Sequence, residues 1–298
     1  MDCVRESMAA GADLPYPPFD LRVGPVEGRD DPFAYDRLGA EAKGALLNML
    51  PDEWLFDGKS VLDFGCGAGR ILRHFLSEAE SAEFWGTDID AASIAWLERH
   101  LSPPLRVLRN DVDPPLGLGY EKFDLAWALS VFTHLTENSL PWLLELHGLL
   151  KPGGLLIATY MGRWNAEVFT HEPWDEERVG MNVLRRDQGW DQGGPVVLMS
   201  DWWVREHWGR AFEILTVTPN VHGQTWVLMQ RRDVQISIEE VEEPADYPRE
   251  ITALRHNLRQ VERDLRNYYE GSLSWRFTRP LRTAARIARS LRHRGARS

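Results

Sequence analysis

Two carboxylates bracket a run of glycines in this chain, and the first chemistry to consider lies there. The run is Val61-Leu-Asp-Phe-Gly-Cys-Gly-Ala-Gly-Arg70, with glycines at 65, 67 and 69 and Asp63 two residues before the first. A short apolar stretch ends in this turn. The backbone must reverse sharply and can approach a ligand with no Cβ atoms in the way. A helix over 70–80 is expected to follow, presenting its unpaired N–H groups to a carboxylate or phosphate. The next apolar stretch, 83–88, ends in a second acid, Asp88. Two carboxylates so placed suit a ligand with an ammonium group and a ribose diol. A dinucleotide is the rival ligand, with the fingerprint G-x-G-x-x-G. Here the third glycine comes one residue early, and Asp63 would set a carboxylate near a pyrophosphate. Asp88 has a competing role as a helix cap beside Asp90, and Asp111 one as a turn residue.

Other chemistries find less support. No G-x-S-x-G elbow is present, so a common α/β serine hydrolase is not indicated. The nine histidines are scattered and no Cys/His cluster has zinc-ligand spacing, so no metal is expected. The two cysteines, Cys3 and Cys66, argue against a disulfide framework and make a reducing cytoplasm the default.

The elements that must position the two acids alternate strand and helix. A helix is expected over 33–50, ended by Pro51. Strands follow at 60–64, 83–88, 105–109, 123–130 and 155–160. Helices lie between them at 70–80, 91–101 and 139–150, the second with Asp90 as its N-cap. Such alternation implies a parallel sheet with helices on both faces. Two later runs, 212–217 and 226–230, read as an antiparallel pair that closes the sheet, giving a doubly wound, mostly parallel α/β sheet of seven strands. Residues 162–210 are too long for a plain connection and carry Trp164, Trp174, Trp190, Trp202, Trp203 and Trp208. They form either an inserted substrate-binding lid or the core of a small subdomain.

Charge divides the chain. Residues 249–298 hold thirteen arginines against four acids, although the whole chain is −11. The acidic body does not resemble a nucleic-acid binder, and the basic end suggests contact with an anionic surface. The organisation expected is a lead-in and helix over 1–58, a core over 59–232, an acidic linker over 233–248, a helix over 249–270 and a basic tail over 271–298. Tyr247, Ile251, Leu254, Leu258, Val261, Leu265 and Tyr268 form a heptad seam suited to a homodimer, or one face of a helix packed on the body. The tail has eight arginines, no acid, and Trp275 and Phe277 ahead of an amphipathic stretch. It reads as a membrane-surface segment, a disordered arm or a site for an acidic partner. No run of eighteen apolar residues occurs, and residues 1–20 do not read as a secretion signal. The location expected is cytoplasmic, with the inner membrane face as a site of peripheral contact.

The glycine run resembles the first motif of the class I, Rossmann-like, S-adenosylmethionine-dependent methyltransferases. Trp85-Gly-Thr-Asp-Ile-Asp90 resembles their second motif, Asn110-Asp-Val112 the adenine site, 123–135 the fourth-strand motif and 149–158 the turn into strand five. The resemblance covers roughly residues 59–160 and, weakly, 200–232. It implies S-adenosylmethionine as cofactor. The backbone of Gly65, Cys66, Gly67 and Gly69 would lie along the methionine portion, with Asp63 on its ammonium. Asp88 and Ile89 would meet the ribose, Asp111 the adenine amino group and Val112 its ring. Ser130 and Val131 would stand near the sulfonium. An oxygen acceptor needs a base, and His134, just past strand four, is the candidate. Its alternative is packing or capping beside Phe132. Tyr160 and Trp164 would wall the acceptor pocket. Residues 272–282 resemble tails of bacterial polysaccharide-pathway enzymes, which implies a sugar hydroxyl of a surface glycan as acceptor. A diffusible small molecule is the alternative acceptor, and a non-catalytic scaffold the alternative function.

Overall fold

A computed structural model describes residues 14–22, 31–170, 173–189, 193–244 and 247–271. Cys3, Trp190, the side chain of Tyr247 and the basic tail from 272 onward lie outside the described residues.

The first helix, α1 (Pro32–Met49), starts from Asp31, whose carboxylate accepts the Phe33 N–H, with proline at the position that needs no donor. The strands then run β1 (Ser60–Phe64), β2 (Glu83–Asp88), β3 (Arg106–Arg109), β4 (Phe123–Ala128) and β5 (Leu150–Tyr160). Between them lie α2 (Ala91–His100) and α3 (Ser139–Leu149). After an insertion come β8 (Phe212–Val221) and β9 (Gln224–Arg231). The sheet order is β3-β2-β1-β4-β5-β9-β8, with the first five strands parallel and β9 antiparallel to both its neighbours. This is the expected seven-stranded, doubly wound sheet. Alternate residues of β1 serve opposite faces. Val61 packs with Phe75, Phe84 and Trp127, and Leu62 packs with Phe132, Trp142 and Trp208. The strand order reverses between β1 and β4, which opens the crevice that such sheets use for ligands.

Two expectations need correction. Residues 70–80 are not an α-helix but two short 3₁₀ turns, Leu72–Phe75 and Glu78–Glu80. Ile71, Leu72, Arg73 and Phe75 are all buried, so packing on every side overrides the one-faced helical period. Arg73 spans to the N-terminal segment, pairing with Asp36 at 3.1 Å, donating to the Pro15 and Leu14 carbonyls and stacking on the Tyr16 ring.

The acidic stretch is not an open linker. Its centre is a helix, α6 (Ile238–Glu242), opened by a capping box between Ser237 and Glu240. Val241 is fully buried, and its carbonyl accepts from His207 Nδ1 at 2.7 Å and from Arg210 at 3.0 Å. The acids around Val241 face solvent, and three apolar residues, Ile236, Ile238 and Val241, hold the segment down.

The insertion is both core and surface. It contains α4 (Arg163–Thr170), a hairpin of β6 (Met181–Leu184) and β7 (Val196–Met199), and α5 (Asp201–Ala211). Trp202, Trp203 and Trp208 on α5 are buried, Trp174 is half-buried and Trp164 is exposed. The last helix, α7 (Tyr247–Gly271), packs on β6 through Ala253 and Gln260, while Glu250 meets His207 at 3.1 Å. Leu254, Leu258, Leu265 and Tyr268 of the heptad seam point outward. The helix thus packs back on the body through one stripe and exposes another. Among the described residues no helix is long and apolar enough to cross a membrane.

Candidate active site

The glycine loop is tied to the end of β2. The N–H groups of Gly65 and Cys66 both donate to the Thr87 carbonyl, at 2.8 and 3.0 Å, and Gly67 donates to Asp88 Oδ2 at 2.7 Å. These donors are therefore committed to the neighbouring strand, and with no α-helix following the loop the expected helical N-terminus for an anion is not formed. Asp88 Oδ1 accepts from the Asp90 N–H at 2.9 Å. Asp90 itself caps α2 through Ala92 and Ser93, and Asp88 supports that cap through the Asp90 N–H while it also holds the glycine loop. Burial pushes the pKa of Asp88 up, against the two backbone donors.

Asp63 lies at the centre of this edge, aligned with Gly86 on one side and Trp127 on the other. It is 2% exposed, and its Oδ2 is sealed from solvent without a well-formed hydrogen bond. Burial raises its pKa to about 7; the nearby Trp127 indole opposes this and the Asp88 carboxylate adds to it. A buried carboxylate lacking a partner is costly, and a cationic ligand group would relieve it. Burial, with help from both carboxylates, also holds the Cys66 thiol neutral. Gly65 adopts φ +82, and a Cβ there would lie 2.3 Å from Val131 Cγ2. Val131, just past β4, is thus packed over the loop.

The remaining candidates fall along the same rim. Ile89 follows Asp88, and its carbonyl accepts from Arg109 at 3.2 Å. Asp111 and Val112 are exposed beyond β3, and the Val112 carbonyl is held by Asn138 and Trp142, each at 2.8 Å. Ser130 takes φ +60, unusual for a side-chain-bearing residue. Its N–H donates to Thr159 Oγ1 at 2.7 Å, and its hydroxyl accepts from Gln224 at 2.9 Å. His134 is mostly buried. Its Nδ1 lies 2.7 Å from the Pro195 carbonyl. A carbonyl only accepts, so Nδ1 carries the proton and Nε2 the basic lone pair. Burial lowers the pKa of this ring, the Pro195 contact opposing, which keeps it neutral at pH 7. Tyr160 has no exposed face. Its hydroxyl donates to Asp201 at 2.6 Å and its ring packs against Trp208, so it belongs to the core rather than to an open wall. Trp164 is exposed on α4, which follows the end of β5.

Three residues at this edge were given no role from sequence. Asn110 is buried, donates its N–H to the Asp88 carbonyl at 3.1 Å and leaves Oδ1 without a partner. Gln224 reaches Ser130 from 94 residues away, with no local signal to reveal it. Tyr35 lies on the buried stripe of α1 near Arg70 and Cys66 of the loop, and burial pushes its pKa up so that the hydroxyl stays neutral.

Residues 62–156 match the family model described as a methyltransferase domain. The fold matches a crystal structure of an S-adenosylmethionine-dependent methyltransferase from Mesorhizobium loti, with a TM-score of 0.51 and 18% identity, covering 65% of this chain and 99% of that one. Within residues 62–156 the core is thus similar to a methyltransferase domain. A ubiquinone biosynthesis O-methyltransferase from Cereibacter sphaeroides is 30% identical over 136 residues, 44% of this chain and 51% of the relative. A ribosomal protein L11 methyltransferase from Nitrosomonas europaea is 28% identical over 171 residues, 54% of this chain and 53% of the relative. The chain thus spans about half the length of these curated relatives. Their named targets differ, so what is shared is the methyltransferase domain and not an acceptor.

Asp63 makes the methyltransferase domain sensitive to pH. Its folded-state pKa, about 7, lies above its ordinary value of 3.8, so between these values the native state keeps a proton that the unfolded chain has lost. This group therefore makes the unliganded protein less stable as pH rises from about 4 to 7 and adds no further loss above that. Asp63→Asn is expected to stabilise the unliganded protein at pH 8 by roughly 1–3 kcal/mol and to flatten this dependence. Urea melts at pH 5 and 8 check it; equal stability of the two proteins at pH 8 would show that the buried charge is not held at a cost.

Proposed function

We propose that this chain is an S-adenosylmethionine-dependent methyltransferase acting on a hydroxyl oxygen of a small-molecule acceptor. The observation that carries the cofactor assignment is the sealed Asp63 Oδ2 beside a loop where Val131 already occupies the space of a Gly65 Cβ. The residues fit the group: Asp63 would hold its ammonium, Asp88 the ribose hydroxyls, and Asp111 and Val112 the adenine. Asn110 lies between the last two sites. When bound, S-adenosylmethionine supplies an activated methyl group on a sulfonium. The protein's part is to align and to exclude water. Val131 and Ser130 close the loop from the β4 side. The His134 Nε2 takes the proton that the acceptor hydroxyl gives up, while the Nδ1 contact to Pro195 fixes the ring. Gln224 and Trp164 border the acceptor's approach. The oxygen acceptor is supported by the neutral His134 and by the name of one relative, an O-methyltransferase.

The sugar hydroxyl of a surface glycan is a narrower version of the same reading. It rests on the resemblance of 272–282, as does peripheral contact with an anionic membrane through the eight arginines of the tail. Self-association through 247–268 has a separate support, the outward Leu254, Leu258, Leu265 and Tyr268.

Calorimetric titration with S-adenosylmethionine tests the cofactor assignment, and a scaffold with a dead site would give no heat. Asp88→Ala is expected to weaken binding by about 1–3 kcal/mol. Below pH 7, binding to the wild type should release a proton as Asp63 ionises, so affinity falls as the solution is acidified. His134→Gln is expected to cut turnover of a hydroxyl acceptor by about 100-fold or more with cofactor affinity unchanged. Full activity in this variant would remove the base. For the seam, sedimentation velocity of Leu258→Asp should show a shift to monomer. Identical profiles for variant and wild type would leave the seam without a role in assembly.

A further inference from the structure

We propose that α7 is a positioning element for His134, acting through the β6–β7 hairpin and three amide side chains, Asn182, Asn257 and Gln260. The inference rests on the reading of His134 as the base. The connection is continuous. At the α7 end, the Val183 N–H donates to Asn257 Oδ1 at 3.1 Å, and Asn182 Nδ2 donates to Gln260 Oε1 at 2.9 Å. Asn182 also lies 3.3 Å from His256 Nδ1. In the hairpin, Val183 stands opposite Val197 and Leu184 opposite Val196. At the other end, the Val197 N–H donates to the Thr133 carbonyl at 2.9 Å, and Pro195, two residues earlier and immediately before β7, accepts from His134 Nδ1 at 2.7 Å. The Met199 N–H fixes the same strand to the Met161 carbonyl at the end of β5, at 2.8 Å.

The chemistry of the dock explains why it would set position and not merely add burial. Asn182 is 1% exposed and Gln260 is 6% exposed. A buried amide whose partner moves is left unsatisfied, so each of these bonds tolerates one placement of α7 against the hairpin. Apolar contacts would tolerate sliding, and most of the apolar side chains of α7 face away from this dock. The placement passes across a two-stranded ladder to Pro195, whose carbonyl selects which ring nitrogen of His134 carries the proton. Asn182, Asn257 and Gln260 are thus positioning residues.

The test uses the full chain. The ring nitrogens of His134 are followed by long-range proton–nitrogen NMR, with His134→Gln identifying the signal. The wild type should show a single neutral tautomer with the proton on Nδ1. Asn257→Ala, which removes the acceptor of the Val183 N–H, should give a mixture of tautomers and about a tenfold loss of turnover at unchanged cofactor affinity. Asn257→Asp keeps an acceptor oxygen and should restore both. Should Asn257→Ala fail to fold, Gln260→Met, which keeps the volume and removes the acceptor of Asn182, decides by the same spectrum. An unaltered His134 pattern in the folded variant overturns the proposal. The spectrum needs neither cofactor nor acceptor, so a wild type that transfers no methyl group would overturn the proposed function and leave the coupling of α7 to His134 separately decided.

Discussion

The end of β2 governs the candidate site. One carbonyl, that of Thr87, accepts two successive N–H groups of the glycine loop, and the next side chain, Asp88, accepts a third. Three bonds of this kind leave the loop little freedom beside the point where the strand order reverses between β1 and β4. Asp63 sits under that loop with its charge opposed by burial. Removing water from an acid costs free energy, and the fold carries that cost at the point where the proposed cofactor would place its ammonium group. The neutral Cys66 and the close approach of Val131 to Gly65 belong to the same arrangement, which keeps the floor of the crevice dry and narrow.

Around this floor, later parts of the chain supply the walls. The insertion after β5 packs three tryptophans of α5 into the core and projects the β6–β7 hairpin over the turn that carries Thr133 and His134. The segments after β9 then fasten the insertion from outside, α6 through His207 and Arg210, and α7 through Glu250 and the amide cluster. Elements distant in sequence therefore bear on one histidine at the carboxyl edge of the sheet.

Much of this was legible in the sequence where the signal is local. The strands and their order in the chain follow from apolar runs and punctuating glycines, and the nearness of Asp63 to Asp88 follows from both acids lying toward the carboxyl ends of adjacent strands. What escaped was decided by tertiary packing. Residues 70–80 carry a helical pattern, but Ile71, Leu72, Arg73 and Phe75 are all buried, so their first half offers no solvent face for the period to specify. The 233–248 stretch reads as a linker by charge, yet Ile236, Ile238 and Val241 dock it. Asn182 and Gln260 look like surface residues in a sequence, and only their mutual bond inside the protein reveals their place. Gln224 is joined to Ser130 by the closing antiparallel pair, a relation that no spacing encodes. Tyr160 shows the reverse error: a strand-end tyrosine suggests a pocket, but Asp201 draws its hydroxyl into the core.

The two halves of α7 differ in kind. Up to Gln260 one side of the helix is gripped by the body, while Glu262 to Glu270 is exposed on every side. The ten residues from Glu262 to Gly271 extend the helix by ~15 Å. A stiff rod clamped along one half and exposed to solvent along the other has the form of a lever, with the amide cluster at its fulcrum. Under the proposed coupling, a small force on the exposed arm would be felt as torque on the hairpin, and through it on the ring of His134.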